Sequence, residues 1–184
     1  MKQLIGKNEI INTALKVAKE KGWEKTSVRE ISKAINYSTI KIYSEFGSKD
    51  GLLRAIQEKG FMMLKNEYLR STQSNESAEA KLIELTVAHY RFAIHQKTYY
   101  DLMFQMNGST CSLPSGAVLQ NPSKPINELL SYITGYKVDK TLFFHWWALA
   151  HGFVAITNAG KTKEEEAITM LRSIMKDFIK GIKK

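Results

Sequence analysis

TSVREISKAINYSTIKIYSEFGSKDGLL, residues 26–53, decides the fold. A hydroxyl residue opens each of three successive apolar runs, at Thr26, Ser38 and Ser48. Such a hydroxyl accepts a hydrogen bond from the free amides at a helix N-terminus. Asn36 and Gly47 stand at the breaks between the runs, and both residue types tolerate the backbone of a tight turn. Val28, Ile31, Ala34 and Ile35 form the apolar face of the first run; Ile42 and Phe46, four apart, form that of the second. Leu52, Leu53, Ile56, Phe61 and Leu64 continue into a longer third run, with apolar residues at helical spacing. The pattern is two short helices joined by a tight turn, then the start of another: a helix-turn-helix.

A helix-turn-helix reads DNA when its second helix offers polar side chains to the major groove near its N-terminus. With Ile42 and Phe46 turned inward, Ser38, Thr39, Lys41, Tyr43 and Ser44 face outward. They supply hydroxyl donors and acceptors, one cation and an aromatic ring with a polar tip. Thr26 and Ser27 can bind phosphate at the start of the preceding helix, and Lys49 can hold one at the start of the following helix. The plainer alternative is a packing motif with a solvated face. A helix this short, with hydroxyls clustered at its N-terminus, argues for the reader.

Outward from this segment, the totals agree. The chain has 184 residues, a formal net charge of +9 and a pI of about 9.5, which suits a polyanionic partner. Residues 1–60 carry 12 − 7 = +5 and the rest 15 − 11 = +4, so positive charge is denser at the N-terminal end. Cys111 is the single cysteine. It permits no disulfide within the chain and no cysteine-built zinc site, and is read as a small buried hydrophobe rather than a redox sensor. No apolar run reaches the roughly 18–20 residues of a bilayer span. MKQLIGKNEI lacks the apolar core of a signal peptide, so a cytoplasmic location is expected.

The remaining periodicity is helical nearly throughout, and the expected fold class is all-α. A first helix is predicted over 7–21, followed by Gly22-Trp23, with Trp23 as a core anchor. The fourth helix runs to about Arg70, and a polar connection occupies 71–77. A long helix then reaches Gln96, a short aromatic and Met-rich one covers 99–106, and a loop carrying all three prolines covers 107–125. Helices over about 125–133, 139–159 and 163–182 complete the chain.

The head resembles the DNA-binding region of the tetracycline-repressor-like (TetR) family. The resemblance is carried by Gly22-Trp23, the run Thr26-Ser27-Val28-Arg29-Glu30-Ile31, then Ser38, Ile42-Tyr43, Phe46, Ser48-Lys49 and Leu52-Leu53, within about the first 60 residues. It implies DNA contacts from Thr26, Thr39, Lys41, Tyr43 and Lys49. Three positions depart from the family pattern: Asn36 and Ile40 stand where glycine is frequent, and Glu45 where an aromatic is common. The expected organisation is a three-helix DNA-binding domain over 1–47 and a helical ligand-binding and dimerisation domain over 48–184.

Two recognition helices about one DNA turn apart read a palindrome, so a homodimer is expected. Phe144, Ala148, Gly152 and Ala155 line a small-residue face that another helix can approach, and Leu171, Ile174 and Phe178 line the last helix. Together they can form a four-helix bundle with a second copy, as the resemblance also implies; burial of both helices within one chain is the alternative. His89, Phe92, His95, Tyr99, Met103, Phe104, Trp147 and His151 combine aromatic rings, a thioether and a few polar groups, the lining that suits a small organic ligand. Ordinary core packing is the competing reading for each of them, and the resemblance favours a cavity.

Metal binding and catalysis are not expected. His89 and His95 are six apart, as are His145 and His151, which leaves each pair roughly 120° from alignment on a helix. There is no phosphate-cradling glycine loop after a strand, no nucleophile elbow and no cysteine–histidine pair close in sequence. No cofactor is called for. The function expected is a ligand-responsive transcriptional regulator, a repressor by the family's usual mode, that binds a palindromic duplex operator as a homodimer. The alternative is a helical ligand-binding or enzymatic protein that has lost specific DNA binding.

Overall fold

The computed structural model describes residues 5–104 and 116–183, with only the backbone described over 116–122. Among the described residues there are nine helices and no strand: α1 Lys7–Lys21, α2 Val28–Ala34, α3 Thr39–Phe46, α4 Lys49–Ser71, α5 Ala78–His95, α6 Lys97–Met103, α7 Gly116–Thr134, α8 Lys140–Gly160 and α9 Glu164–Ile182. None is long and apolar enough to cross a membrane. The chain divides into two compact units. One holds the chain to Phe61 together with the segment from Lys97, and the other holds Met62–Gln96 and the chain from Ala117.

In the first unit α1 buries Ile10, Ile11, Ala14, Val17 and Ala18 and ends at Gly22, whose φ of +82° reverses the chain. Trp23 is buried, and its indole Nε1–H donates to the Thr98 carbonyl at 2.9 Å, tying the head to α6. The fully buried Gln57 on α4 donates through Nε2 to the Leu102 carbonyl at 3.0 Å. That bond satisfies one of the carbonyls a helix C-terminus leaves open. Gly60 permits the approach of α4 to α6, since a Cβ there would lie 2.5 Å from Met103 Sδ and 3.1 Å from Tyr99 Cδ1. Phe61 and Phe104 meet edge-to-face at 5.5 Å.

In the second unit α5 packs against both α8 and α9. Ser77 caps α5 by accepting from the Ala80 amide, and Asp139 caps α8 through Oδ1 from the Leu142 amide at 2.9 Å. The face of α9 turned inward is Ala167, Ile168, Leu171, Met175 and Ile179. At the core, the buried Trp146 donates its indole N–H to Thr86 Oγ1 at 2.9 Å, and Thr86 donates in turn to the Leu82 carbonyl at 2.7 Å.

The proline-bearing loop expected over 107–125 is corrected where it can be compared. Residues 107–115, with Cys111 and Pro114, lie outside the described residues, whereas 116–125 are helical. Pro122 and Pro125 therefore stand inside α7. A proline there forfeits an amide bond to the preceding turn. Burial of Ile126 and Leu130 on the same helix offsets that cost through packing, which overrides local propensity.

Candidate nucleic-acid interface

Three capped helices position the outward-facing side chains. Ser27, not Thr26, caps α2: its hydroxyl accepts from the Glu30 amide at 3.1 Å. Thr26 is buried, and its Oγ1–H donates to the Gly22 carbonyl at 2.8 Å. The cap read at Thr26 from sequence is thus shifted by one residue. Thr26 instead locks the α1–α2 corner, and its side chain is not presented outward. Asn36 makes the turn in the left-handed conformation, with φ +52°.

Ser38 then caps α3 by accepting from the Ile40 amide at 3.1 Å. Ile42 is wholly buried and roots the helix. Phe46 is half-buried, with the Lys7 ammonium 5.9 Å from its ring centroid, a cation–π distance. Ile40, Tyr43 and Ser44 face solvent, and Thr39 is half-buried at the helix start. Ser44 donates to the Lys41 carbonyl at 2.8 Å, leaving its oxygen free to accept. Lys41 is paired with Glu45 along the helix and is mostly covered, at 22% side-chain exposure. The Lys41 ammonium, with Lys7 contributing, holds the Glu45 carboxyl below the usual carboxylate range. Ser48 caps α4 by accepting from the Gly51 amide at 2.9 Å, and the half-buried Lys49 begins that helix.

Sequence reasoning missed the shoulder of this surface. Arg29, Ser32, Lys33, Asn36 and Tyr37 line one concave face with Ser38 and Thr39. Arg29, Lys33 and Asn36 are exposed at i, i+4 and i+7, opposite the buried Val28 and Ile31. That spacing is visible in the sequence once α2 is read for its outer face as well as its inner one.

The expected ligand-binding residues fall in both units. Tyr99 and Met103 are buried in the first, where Phe104 packs on Phe61 and Tyr100. In the second, His89 is wholly buried, and its Nδ1 shares a 2.6 Å hydrogen bond with the Tyr68 hydroxyl. The His151 ring lies 4.9 Å from that of His89 and 4.0 Å from that of Trp147. Phe92 is buried as well. His95 instead lies at the surface, with Nε2 3.1 Å from Glu164, which also faces Arg91 at 3.6 Å. Desolvation pushes the His89 pKa well below its ordinary value, with the His151 ring adding to the effect, and burial lowers that of His151 to about 4. Both imidazoles are therefore neutral at pH 7. Among the described residues no group of three or more His, Cys, Asp or Glu could hold a metal ion.

Of the residues read as a pairing face, Phe144 (63% exposed), Ala148 and Ala155 are exposed on α8, with Gly152 half-buried between them. Ile156, at 74% exposure, extends the stripe. On α9, Ile174 is exposed and Phe178 half-buried. Leu171 is turned into the chain's own core at 1% exposure, because it shares the inward register of Ala167 and Met175. Met170, beside it in sequence, is exposed.

Residues 10–56 match the family model for bacterial regulatory proteins of the tetR family. Over these residues the chain is similar to the DNA-binding domain that defines that family. The tetR match begins inside α1, takes in the whole helix-turn-helix and ends within α4.

Solved structures extend the likeness to the whole chain. A TetR family transcriptional regulator, PfmR from Thermus thermophilus, superposes with a TM-score of 0.71 at 18% identity, covering 99% of this chain and 100% of that one. A protein of unknown function from a Rhodococcus species gives a TM-score of 0.81 at 17% identity, covering 100% and 98%. The transcriptional regulator FadR from Bacillus subtilis, solved in complex with stearoyl-CoA, gives 0.75 at 15% identity, covering 94% and 97%. At these identities the shared property is the fold. No curated protein sequence matches the chain.

Proposed function

We propose that this protein is a ligand-responsive repressor that binds a palindromic duplex operator as a homodimer through α3. The observation that carries this reading is the outer face of α3. A capped, rooted recognition helix presents Ile40, Tyr43 and Ser44 to solvent, beside a shoulder carrying Arg29 and Lys33. Phosphate contacts from the shoulder would set the register, and the α3 side chains would read base edges.

Pairing is supported by the exposed apolar stripe on α8 and α9, where Phe144, Ile156, Met170 and Ile174 remain uncovered in a single chain. Large apolar side chains left exposed at several positions of one unit are what a pairing surface would use. Ligand response is supported by the FadR likeness, since that protein binds an acyl-CoA, and by an open groove on the second unit. The groove is lined by Met63 and Phe92 together with charged groups of both signs, among them Arg70, Arg91, Glu67 and Glu84, a lining that supports a ligand with both apolar and polar parts. A ligand shifts DNA binding only through its differential affinity for two states, typically about 1–3 kcal/mol of coupling.

Selection of bound duplexes from a random pool tests this function, followed by sedimentation of the free and bound protein. The expected result is an inverted repeat with half-sites about one helical turn apart, bound by two chains, with affinity falling steeply as salt rises. No enriched sequence and no duplex binding at low salt would overturn it.

A second reading is favoured by the Lys41–Glu45 pair, which offsets the single cation of α3. It is a duplex binder with little sequence preference, seen as a salt slope without an enriched site.

A further inference from the structure

We propose that Ile40 is a specificity-determining contact that reads the C5-methyl group of thymine in the major groove. It presupposes that α3 reads duplex DNA.

Ile40 is the second residue of α3 and is 75% exposed. The N-terminal residues of a recognition helix are those that come nearest base edges. The Ile40 side chain buries little in its own chain, and its amide is already held by Ser38. It shares one face of the helix with Tyr43 and Ser44, three and four residues on.

An aliphatic side chain can neither hydrogen-bond a base nor neutralise a phosphate. The one base-edge group in the major groove that it matches chemically is the thymine methyl. A β-branched side chain in a helix is confined mainly to one χ1 rotamer, so Ile40 meets the groove with little rotamer freedom to lose. Polar neighbours on the same face and the net +5 of residues 1–60 point to duplex DNA, rather than an apolar protein surface, as the occupant.

The test uses the full-length protein and the duplex recovered from pool selection. Each thymine is replaced in turn by deoxyuridine, which lacks only the C5 methyl. The wild-type protein is expected to lose about fourfold in affinity at one thymine of each half-site, corresponding to about 0.8 kcal/mol for a buried methyl-sized group. Ile40→Ala should show that loss already on the thymine duplex and be indifferent to deoxyuridine at the same position. As an exposed residue, its replacement should leave the melting temperature unchanged. Wild-type binding that ignores deoxyuridine everywhere overturns the Ile40 assignment while leaving DNA reading intact. Ile40→Ala that still senses the same deoxyuridine likewise removes Ile40 as its reader. Failure to recover any bound duplex overturns both the assignment and the function beneath it. Self-association that Ile40→Ala abolishes, with no deoxyuridine effect, assigns the residue to a protein contact instead.

Discussion

On the recognition helix, the Lys41 ammonium is held by the Glu45 carboxylate one turn further along. The single cation of α3 is therefore shared with an acid of its own helix. Lys41 keeps the Glu45 carboxyl below its ordinary range. The pairing is thus fully present above the unfolded-state value near 4.5 and is lost only as pH falls through the lower folded value. Neutral pH never releases Lys41; a substitution does.

Glu45→Gln should raise affinity for duplex DNA, most at low salt. If the freed Lys41 meets a phosphate, the slope of log K against log salt steepens by about 0.9 per chain. Anisotropy titrations at several salt concentrations measure this. An unchanged slope would place the pair away from the backbone.

Gly51→Ala should destabilise the head. Glycine-to-alanine inside a helix ordinarily stabilises by about 1 kcal/mol. Here the added Cβ would sit 1.9 Å from the Phe46 carbonyl oxygen, a backbone atom that cannot rotate aside. Overpacking of this kind costs roughly 1–3 kcal/mol, and re-aiming α3 should weaken DNA binding as well. Thermal melting reads the first effect, and a melting temperature at or above wild type would contradict it.

Thr86→Val should cost roughly 1–3 kcal/mol, because it leaves the buried Trp146 indole N–H without its acceptor. Thr86→Ser keeps the oxygen and should retain most of the stability. Urea denaturation followed by tryptophan fluorescence compares the two. A larger loss for Thr86→Ser than for Thr86→Val would mean that the methyl group, not the hydrogen bond, matters.

Stability should fall as pH drops from 7 to 5. The buried His89 and His151 have folded pKa values below the unfolded value of about 6.5. The unfolded chain therefore binds more protons in this window, and stability rises with pH. For His151, lowered to about 4, the loss by pH 5 is about 2 kcal/mol. His151→Phe should flatten the profile in denaturation series between pH 5 and 8. A variant as steep as wild type would assign the acid sensitivity elsewhere.

Helix order and most helix ends were legible in the sequence, because apolar spacing and capping residues act over four to seven neighbours. Asp139 before α8 and Ser77 before α5 are local signals of this kind. The start of α7 was not legible. Its prolines argue against a helix locally, and the burial of Ile126 and Leu130 that outweighs them is a long-range effect. The histidine pair was equally hidden. Spacing tests only pairs on one helix, whereas His89 and His151 meet from α5 and α8.

By itself the sequence determined an all-helical chain, a helix-turn-helix at residues 26–46 and the outward placement of Tyr43 and Ser44 on α3. Those properties follow from periodicity, capping and hydroxyl placement within single helices. Only the tertiary structure decided that Thr26 is a corner lock rather than an outward contact, that Leu171 turns inward while Ile174 stays exposed, and that Ile40 is left uncovered. Such facts depend on which helices pack together, and burial is set by neighbours that local pattern does not name.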